Sequence, residues 1–469
     1  MIEDLSEYVA EIVERARKAQ RQVEFISQKK IDEICLAVAW EVYKDENISK
    51  LAKLAVEETG MGVYEDKVTK HKVKVLGVVK DIKDAKSVGL IESDEIKKIY
   101  KYAKPVGVVG ALTPVTNPTA TPASNAVAIL KGRNAVIFAP HPKSKMSSGL
   151  AVEFMRKGLE KVGAPVDLIQ IIEQPSVEST VELMKQVDLV LATGGKPMVK
   201  AAYSSGTPAY GVGPGNSVQI VAEDADIVDA IRKISISKAF DNATSCSSEN
   251  SVIINEEVYD ESISEINKNN GYCCNDEERE KLRNYMWRIS KNGLPELNPE
   301  IIAKSALEIA GKAGLTVPES TKILVVNGRQ PLEDDPFSKE KLSPVLTVWT
   351  YKTIEDGYQI LKRLTDNCGT GHSCGIHTYR KDYIEYLALN MKSSRIVVRQ
   401  PQAPANGGNF YNGMPSTVTM GCGTWGGNIT TENINYKHFL NITWVSEPFD
   451  PVKPSDEEIW GDHFAKYGK

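Results

Sequence analysis

Short apolar segments alternate with helical segments along most of the chain, and this alternation limits the possible folds more than any other feature. Apolar segments typical of buried strands lie at 106–112, 135–139, 168–172, 188–192 and 218–221. Segments with helical periodicity lie between them, at 119–130, 145–162, 176–186 and 196–205. Strands that alternate with helices of about 10–15 residues indicate βαβ units. The sequence therefore predicts an α/β fold with doubly wound sheets.

The pattern divides the chain into three predicted units. The first, 1–240, begins with about 90 helical residues and contains a strand at about 95–104. A second series of apolar segments begins near 250, which places another α/β unit at 241–427. The remaining residues, 428–469, include a long strand at 434–446, and its expected partner is the alternating segment 96–103.

Composition excludes several classes of partner. Lys and Arg total 57 and Asp and Glu total 62 among 469 residues, so the net charge of −5 gives no reason to expect nucleic acid or an anionic membrane. No apolar run approaches the roughly 20 residues that cross a bilayer. The seven cysteines form no CxxC pair, which favours reduced thiols and predicts no metal site. We therefore expect a cytoplasmic protein.

Two glycine clusters lie in the first unit. Thr193, Gly194 and Gly195 follow a predicted strand and open a helix, the context in which backbone N–H groups bind phosphates. The cluster is not a GxGxxG motif, and a tight turn that needs glycine explains it equally well. A second cluster, at 211–215, includes Gly213.

Cys246 is the candidate nucleophile. It lies in the segment FDNATSCSSE at 240–249, where small polar residues surround it at the predicted joint between the two α/β units. Ligand sites favour such joints, and a thiolate there attacks a carbonyl carbon to form a covalent intermediate. A buried structural cysteine is the alternative interpretation.

Several ordered motifs extend this interpretation. They are TPVTNPTATP (113–122), GRNAVIFAPHPKSK (132–145), LATGGKPMVKAAYSSGTPAYGVGPGN (191–216), FDNATSCSSEN (240–250), EKLSPVL (340–346) and MGCGTWGGN (420–428). Together they resemble the CoA-acylating branch of the aldehyde dehydrogenase superfamily, and within it the stand-alone acylating sulfoacetaldehyde and succinate-semialdehyde dehydrogenases. The resemblance implies a cofactor-binding domain at 1–240, a catalytic domain at 241–427 and a bridging arm at 428–469. It also implies a homodimer or homotetramer.

The resemblance also implies roles for single residues. Cys246 forms a thiohemiacetal and then a thioester, and the Asn117 amide with the backbone N–H of Cys246 stabilises the oxyanion. Glu340 binds the nicotinamide ribose, and the two glycine clusters, including Gly213, line the cofactor site. Without the resemblance, Asn117 would be interpreted as a turn residue before a proline, and Glu340 would be interpreted as a solvated surface charge.

The cofactor is expected to be NAD or NADP. His141 falls where related enzymes hold the adenosine ribose, and Lys143 beside it would not repel a 2′-phosphate, although a solvated surface lysine is the simpler interpretation. His372 matches a Gly-His pair of the acylating branch. His372 either positions or deprotonates coenzyme A, or it positions the cofactor. The alternative is a buried structural histidine.

Acyl transfer to coenzyme A is favoured over hydrolysis. Hydrolytic relatives carry a glutamate that activates water before a Gly-Gly pair, whereas the matching stretch 210–215 has no carboxylate. A hydrolytic dehydrogenase and a non-catalytic assembly protein are the alternatives.

The expected substrate is a short anionic aldehyde. Arg399, Thr244 and Ser245 offer donors suited to a sulfonate or a carboxylate. Sulfoacetaldehyde is favoured, then succinate semialdehyde, with acetaldehyde as a further alternative. In the competing interpretation Arg399 points away and pairs with a surface acid.

Overall fold

A computed structural model describes residues 5–290, 293 and 295–469. The helices are α1 Leu5–Val23, α2 Gln28–Tyr43, α3 Asp45–Thr59, α4 Tyr64–Ile82, α5 Ala120–Lys131, α6 Lys145–Lys161, α7 Val177–Gln186, α8 Lys196–Tyr203, α9 Ile227–Ala239, α10 Tyr259–Lys268, α11 Asp276–Met286, α12 Ala306–Lys312, α13 Ile354–Asn367, α14 Lys381–Asn390, α15 Gln402–Ala405 and α16 Asp456–Tyr467. The strands are β1 Gly89–Asp94, β2 Ile99–Pro105, β3 Val108–Thr113, β4 Ala135–Pro140, β5 Ile169–Ile171, β6 Leu189–Thr193, β7 Ala209–Val212, β8 Ser217–Val221, β9 Glu249–Asn255, β10 Gly271–Cys273, β11 Trp287–Ile289, β12 Pro295–Leu297, β13 Ile323–Asn327, β14 Val345–Tyr351, β15 Cys374–His377, β16 Ile396–Val398 and β17 Leu440–Ser446.

The first sheet is parallel, with the order β5-β4-β3-β6-β7. Every residue of its central strands β3 and β4 is buried, as expected when helices cover both faces of a sheet. The amino-terminal helices α1 and α2 contribute to the same core through residues such as Val9, Ile12, Ile31 and Val38. The α/β fold predicted from the alternation is therefore confirmed.

The second sheet is also parallel, with the order β10-β13-β14-β9-β8-β15-β16. The strands of this sheet correct one prediction. The sequence pattern assigned the segment 218–221 to the first unit, but this segment is part of β8, which pairs with β9 and β15 in the second sheet. The chain changes sheets between Val212 and Ser217. A buried apolar run shows that a segment is a strand but not which sheet it joins.

A third sheet consists of β1, β2 and β17, and we call it the arm. It is antiparallel with the order β1-β2-β17, and β2 pairs with β17 from Ile99 opposite Ser446 to Pro105 opposite Leu440. The predicted pairing of these remote segments is confirmed. The carboxyl-terminal strand is shorter than predicted, since Tyr436–Phe439 forms a 3-10 turn that buries Phe439 in the first core.

The amino-terminal ends of strands of the second sheet, including those of β8, β14 and β15, face the same cleft as the carboxyl-terminal ends of strands of the first sheet. Ligands of open α/β sheets bind outside the carboxyl-terminal strand ends, and those of β3, β4 and β6 all lie on one large cavity. Among the described residues, no helix combines the length and the apolar character needed to cross a membrane.

Candidate active site

The loop that carries Cys246 has an unusual backbone. Asp241, Asn242 and Ala243 have φ angles of 51°, 50° and 58°, a left-handed conformation that costs energy for residues other than glycine. The backbone N–H of Asp241 donates to Oδ2 of Asp66 on α4 at 2.7 Å. The loop is therefore held in this conformation by a helix remote in sequence.

The Asp241 carboxylate is the centre of a buried cluster. Its Oδ2 accepts hydrogen bonds from Lys67 at 3.2 Å, from Lys70 at 2.5 Å and from the Thr244 hydroxyl at 2.7 Å. Burial by itself would raise the pKa of Asp241, but Lys70 and Lys67 outweigh burial and hold that pKa below its usual value. Asp241 is thus a counterion for two lysines of α4.

Asn117 follows β3 and contacts the same cluster. Nζ of Lys70 donates to Oδ1 of Asn117 at 2.9 Å. An ammonium group can only donate, so the atom that faces it must be the amide oxygen. This contact leaves Nδ2 of Asn117 as the donor available to a ligand.

His372 lies beside the thiol of Cys246. Its Nε2 lies 3.2 Å from Sγ of Cys246, and its Nδ1 lies 2.8 Å from Oγ of Ser373. Oγ of Ser373 in turn lies 2.7 Å from Oγ of Ser217 at the start of β8. Nδ1 can therefore donate to Ser373, which leaves the Nε2 lone pair free to accept the thiol proton.

Both reacting groups are neutral at rest. Burial, with a smaller effect from Arg395, lowers the pKa of His372 to about 3. Burial likewise raises the pKa of the Cys246 thiol to about 12. Near neutral pH the pair is therefore a thiol and an imidazole, and attack on a carbonyl must be coupled to proton transfer.

The backbone at Gly215 packs tightly against Cys246. A Cβ atom added to Gly215 would lie 2.2 Å from the carbonyl oxygen of Cys246 and 3.1 Å from Cε1 of His372, so only glycine fits there. The N–H of Gly215 donates to Oε1 of Glu340 at 3.3 Å. Burial raises the pKa of Glu340 to about 8.

Two large cavities meet at the nucleophile. One has a volume of about 530 Å³ and extends over the strand ends of the first sheet; the other has a volume of about 630 Å³ and lies between α4, α9 and the loop 399–412. Both are lined by Asn117, Cys246, Val418 and Met420. We call them the cofactor-side and the substrate-side cavity.

Known proteins resemble the chain over nearly its whole length. The model of the aldehyde dehydrogenase family matches residues 3–271. The chain belongs to the aldehyde dehydrogenase family. A sulfoacetaldehyde dehydrogenase of an Acholeplasma species is 64% identical over 97% of this chain and 94% of that protein. An acylating sulfoacetaldehyde dehydrogenase of Bilophila wadsworthia is 59% identical over 98% of this chain and 99% of that protein.

A solved structure of the aldehyde dehydrogenase family extends the similarity to three dimensions. The crystal structure of an acetylating aldehyde dehydrogenase from Geobacillus thermoglucosidasius has a TM-score of 0.90 to this chain at 37% identity. The match covers 96% of this chain and 98% of that chain. The predicted family resemblance is therefore confirmed.

Most residues predicted for the cofactor lie together in this aldehyde dehydrogenase. The cofactor-side cavity is lined by His141, Thr193, Gly194, Gly195, Gly213, Glu340 and His372. Lys143 is an exception, because its side chain is exposed and lies outside the lining of that cavity. Its backbone N–H donates to Nδ1 of His141 at 3.1 Å. The surface interpretation of Lys143 fits the structure better.

The residues predicted for the aldehyde are divided between the cavities. Ser245 and Arg399 line the substrate-side cavity, but Thr244 is buried and faces the cofactor-side cavity. The Thr244 hydroxyl donates to Asp241, so it is already engaged within the protein. Arg399 donates from Nη1 to the carbonyl of Thr378 at 2.6 Å. The prediction for Thr244 as a substrate ligand therefore needs correction.

Sequence reasoning missed several residues at this site. Lys70 and Lys74 on α4 line the substrate-side cavity. Ser373 forms a hydrogen bond with His372, and Ser217 forms one with Ser373. The spacing of Lys67, Lys70 and Lys74 on one helical face was the available signal. It was not informative by itself, because lysines on a helix usually face solvent.

Proposed function

We propose that the enzyme oxidises a short anionic aldehyde, preferably sulfoacetaldehyde, to its acyl-CoA with NAD or NADP as oxidant. The observation that carries this proposal is the chemistry of the substrate-side cavity. Among the described residues, Cys246 and five cationic side chains line it, and none of its lining residues is an Asp or a Glu. Such a cavity attracts an anion and offers no carboxylate on its wall to activate water.

The cofactor-side cavity suits a nicotinamide dinucleotide. Gly195 precedes α8 without a side-chain cap, so the first N–H groups of that helix are available for phosphate oxygens. A Cβ atom at Gly213 would lie in open space, which indicates room for a ligand beside the backbone. Oε1 of Glu340 binds Gly215, and its second oxygen can accept a ribose hydroxyl.

The chain's own residues account for the first bond-forming step. Nε2 of His372 takes the thiol proton as Sγ of Cys246 attacks the aldehyde carbon. Nδ2 of Asn117 and the backbone N–H of Cys246 donate to the oxygen that becomes negative, and each such donor contributes about 3–4 kcal/mol to transition-state stabilisation. A nicotinamide dinucleotide held in the cofactor-side cavity would supply the hydride acceptor, and loss of the hydride from the carbon bound to Sγ of Cys246 would leave a thioester.

Transfer of the acyl group releases the enzyme. Oxidation to the thioester releases one proton, so the imidazole of His372 first gives the proton taken from Cys246 to solvent. It then accepts the thiol proton of coenzyme A as the coenzyme A sulfur attacks the thioester carbon. The carbon–sulfur bond to Cys246 breaks, and this second proton passes to Sγ. A thiol is a better nucleophile than water at neutral pH. The absence of a carboxylate in 210–215 supports this outcome over hydrolysis.

An assay with and without coenzyme A tests the proposal. With sulfoacetaldehyde, cofactor and coenzyme A, continuous formation of reduced cofactor and of acyl-CoA is expected. Without coenzyme A, we expect one rapid turnover per active site and then a slow rate. Continuous turnover to a free acid without coenzyme A would instead identify a hydrolytic enzyme. Cys246→Ala is the control, since it should retain the fold and lose both reactions.

We also propose that the protein is a homo-oligomer, a dimer or a tetramer, assembled through the arm. Strand β17 is at the edge of its sheet and most of its residues are exposed. Trp444 has an exposed fraction of 62% and Ile442 of 38% on this strand. An edge strand with exposed apolar side chains favours association with a second copy.

A further inference from the structure

The cations of the substrate-side cavity are not equally supplied with counterions. Nζ of Lys70 lies 2.5 Å from Asp241. Arg232 and Lys233 both pair with Asp229. Each of these three cations therefore pairs with an acid of the protein, although the acids are shared, and each loses part of its attraction for a substrate.

Lys74 differs from these residues. Its Nζ donates only to backbone carbonyls, to Gly407 at 2.8 Å and to Gly408 at 3.3 Å, and no acid of the described chain forms an ion pair with it. Asp81 is the acid whose charge reaches Lys74, but its Oδ2 accepts the N–H of Ser416 at 2.5 Å. Burial lowers the pKa of Lys74 to about 8. An enclosed ammonium without a counterion is stabilised by a ligand anion.

The position of Lys74 relative to the reacting atoms follows from α4. Lys70 and Lys74 are four residues apart and lie on the same helical face. Lys70 contacts Asn117 beside the nucleophile, and Lys74 lies one turn further, about 6 Å along the helix axis. That spacing suits an acidic group one or two carbons from an aldehyde carbon held at Cys246.

Arg399 is less free to bind the same group. One of its guanidinium nitrogens donates to the carbonyl of Thr378, and the guanidinium carbon lies 4.6 Å from the centre of the Tyr379 ring. Its charge still contributes to the potential of the cavity. The direct contact to a short substrate is better supplied by Lys74.

We propose that Lys74 binds the sulfonate or carboxylate of the aldehyde and so determines the preference for charged over neutral substrates. This inference rests on the proposed function, and it assigns the substrate's anionic group to one side chain. The neutral end of the molecule would then lie between Cys246 and Asn117.

Two neutral variants and one conservative variant test the proposal. Lys74→Met removes the charge, Lys74→Gln also keeps a donor for the Gly407 carbonyl, and Lys74→Arg keeps the charge. The matched control is Lys72→Met on the same helix, because Lys72 pairs with Asp45 and its side chain is 40% exposed. Thermal unfolding of each variant checks that the fold is retained.

Kinetics with two aldehydes give the first measurement. For sulfoacetaldehyde, the neutral variants should lose about a hundredfold in kcat/KM, with most of the loss in KM. For acetaldehyde they should lose far less, since no anion is bound. Lys74→Arg should retain most of the activity and Lys72→Met nearly all of it. Equal losses on both aldehydes, or no loss on either, would overturn the proposal.

A binding measurement separates this proposal from the proposed function. Ethanesulfonate should protect Cys246 from alkylation by iodoacetamide, and the protecting concentration should rise at least tenfold in both neutral variants. If the parent enzyme fails to oxidise sulfoacetaldehyde but this shift is found, the proposed function is wrong and the anion site stands. If the parent oxidises sulfoacetaldehyde and no shift is found, the assignment of Lys74 alone is wrong.

Discussion

Nε2 of His372 lies 3.2 Å from Sγ of Cys246, although 126 residues separate the two in the sequence. Nη1 of Arg395 donates to the backbone carbonyl of His372 at 2.8 Å and so helps to fix the position of this residue. The imidazole is buried and lines the cofactor-side cavity. The contact leads to the following predictions.

Replacement of His372 should slow formation of the thioester. We expect His372→Ala to lower the rate of the first turnover by about two to three powers of ten, because proton transfer to a positioned base is lost. Stopped-flow measurement of reduced cofactor without coenzyme A gives this rate. Added imidazole should restore part of it, whereas a purely structural role would not respond to imidazole. A rate within threefold of the parent would contradict the assignment.

The pH dependence of Cys246 alkylation should lack a plateau near neutrality. Burial raises the pKa of the thiol to about 12, so the thiolate fraction increases about tenfold per pH unit between pH 7 and pH 10. The iodoacetamide rate at this cysteine, measured by peptide mass spectrometry on the free enzyme, should follow the same slope. A plateau that begins near pH 7 would instead indicate a thiolate–imidazolium pair at rest.

Lys70 should act through the Asn117 amide. We expect Lys70→Met to lower kcat by about tenfold to a hundredfold, because the amide is then no longer held with Nδ2 available to the oxyanion. The double variant with Asn117→Ala should be little worse than Asn117→Ala alone. Lys67→Met is the control, since Lys67 shares Asp241 and donates to the backbone carbonyl of Thr116 but has no hydrogen bond to the Asn117 side chain in the described structure. Additive losses in the double variant would disprove the coupling.

Arg399 should affect charged substrates less than Lys74 does. Arg399→Ala is expected to lower kcat/KM for sulfoacetaldehyde by about tenfold, because the positive electrostatic potential of the substrate-side cavity decreases. Little change is expected for acetaldehyde, which carries no charge. The same two-aldehyde assay measures it. A loss larger than that of Lys74→Met would place the anion at Arg399 instead.

The arm should be required for assembly. The parent protein is expected to exceed its chain mass of 51.6 kDa in light scattering at micromolar concentration. Trp444→Asp adds a charge to the exposed edge strand and should shift the population toward the single-chain mass. Trp40→Asp, an exposed tryptophan away from the arm, is the control. A parent that is monomeric at this concentration would contradict the proposal.

The sequence by itself determined the local structure and the family. Fully apolar runs such as 135–139 predict buried strands, because a strand covered on both faces needs no polar residues, and Ala135–Pro140 is such a strand. The motifs around Cys246, Asn117 and Glu340 predicted the family. The structure brings Cys246 and Asn117 to the junction of two cavities, with Glu340 on the wall of one. These signals are local, so each could be read from a short segment.

Only the tertiary structure decided which sheet β8 joins and which side chains face the substrate. Sheet membership depends on a crossover between Val212 and Ser217 that no periodicity encodes. Thr244 is close to Cys246 in sequence, yet its hydroxyl donates to Asp241. Lys74 is remote in sequence, lines the substrate-side cavity and has no acidic partner in the part of the chain that the structure describes. The physical reason is that a cation's role depends on which acids lie near it in space, and those acids come from segments that meet only in the folded chain.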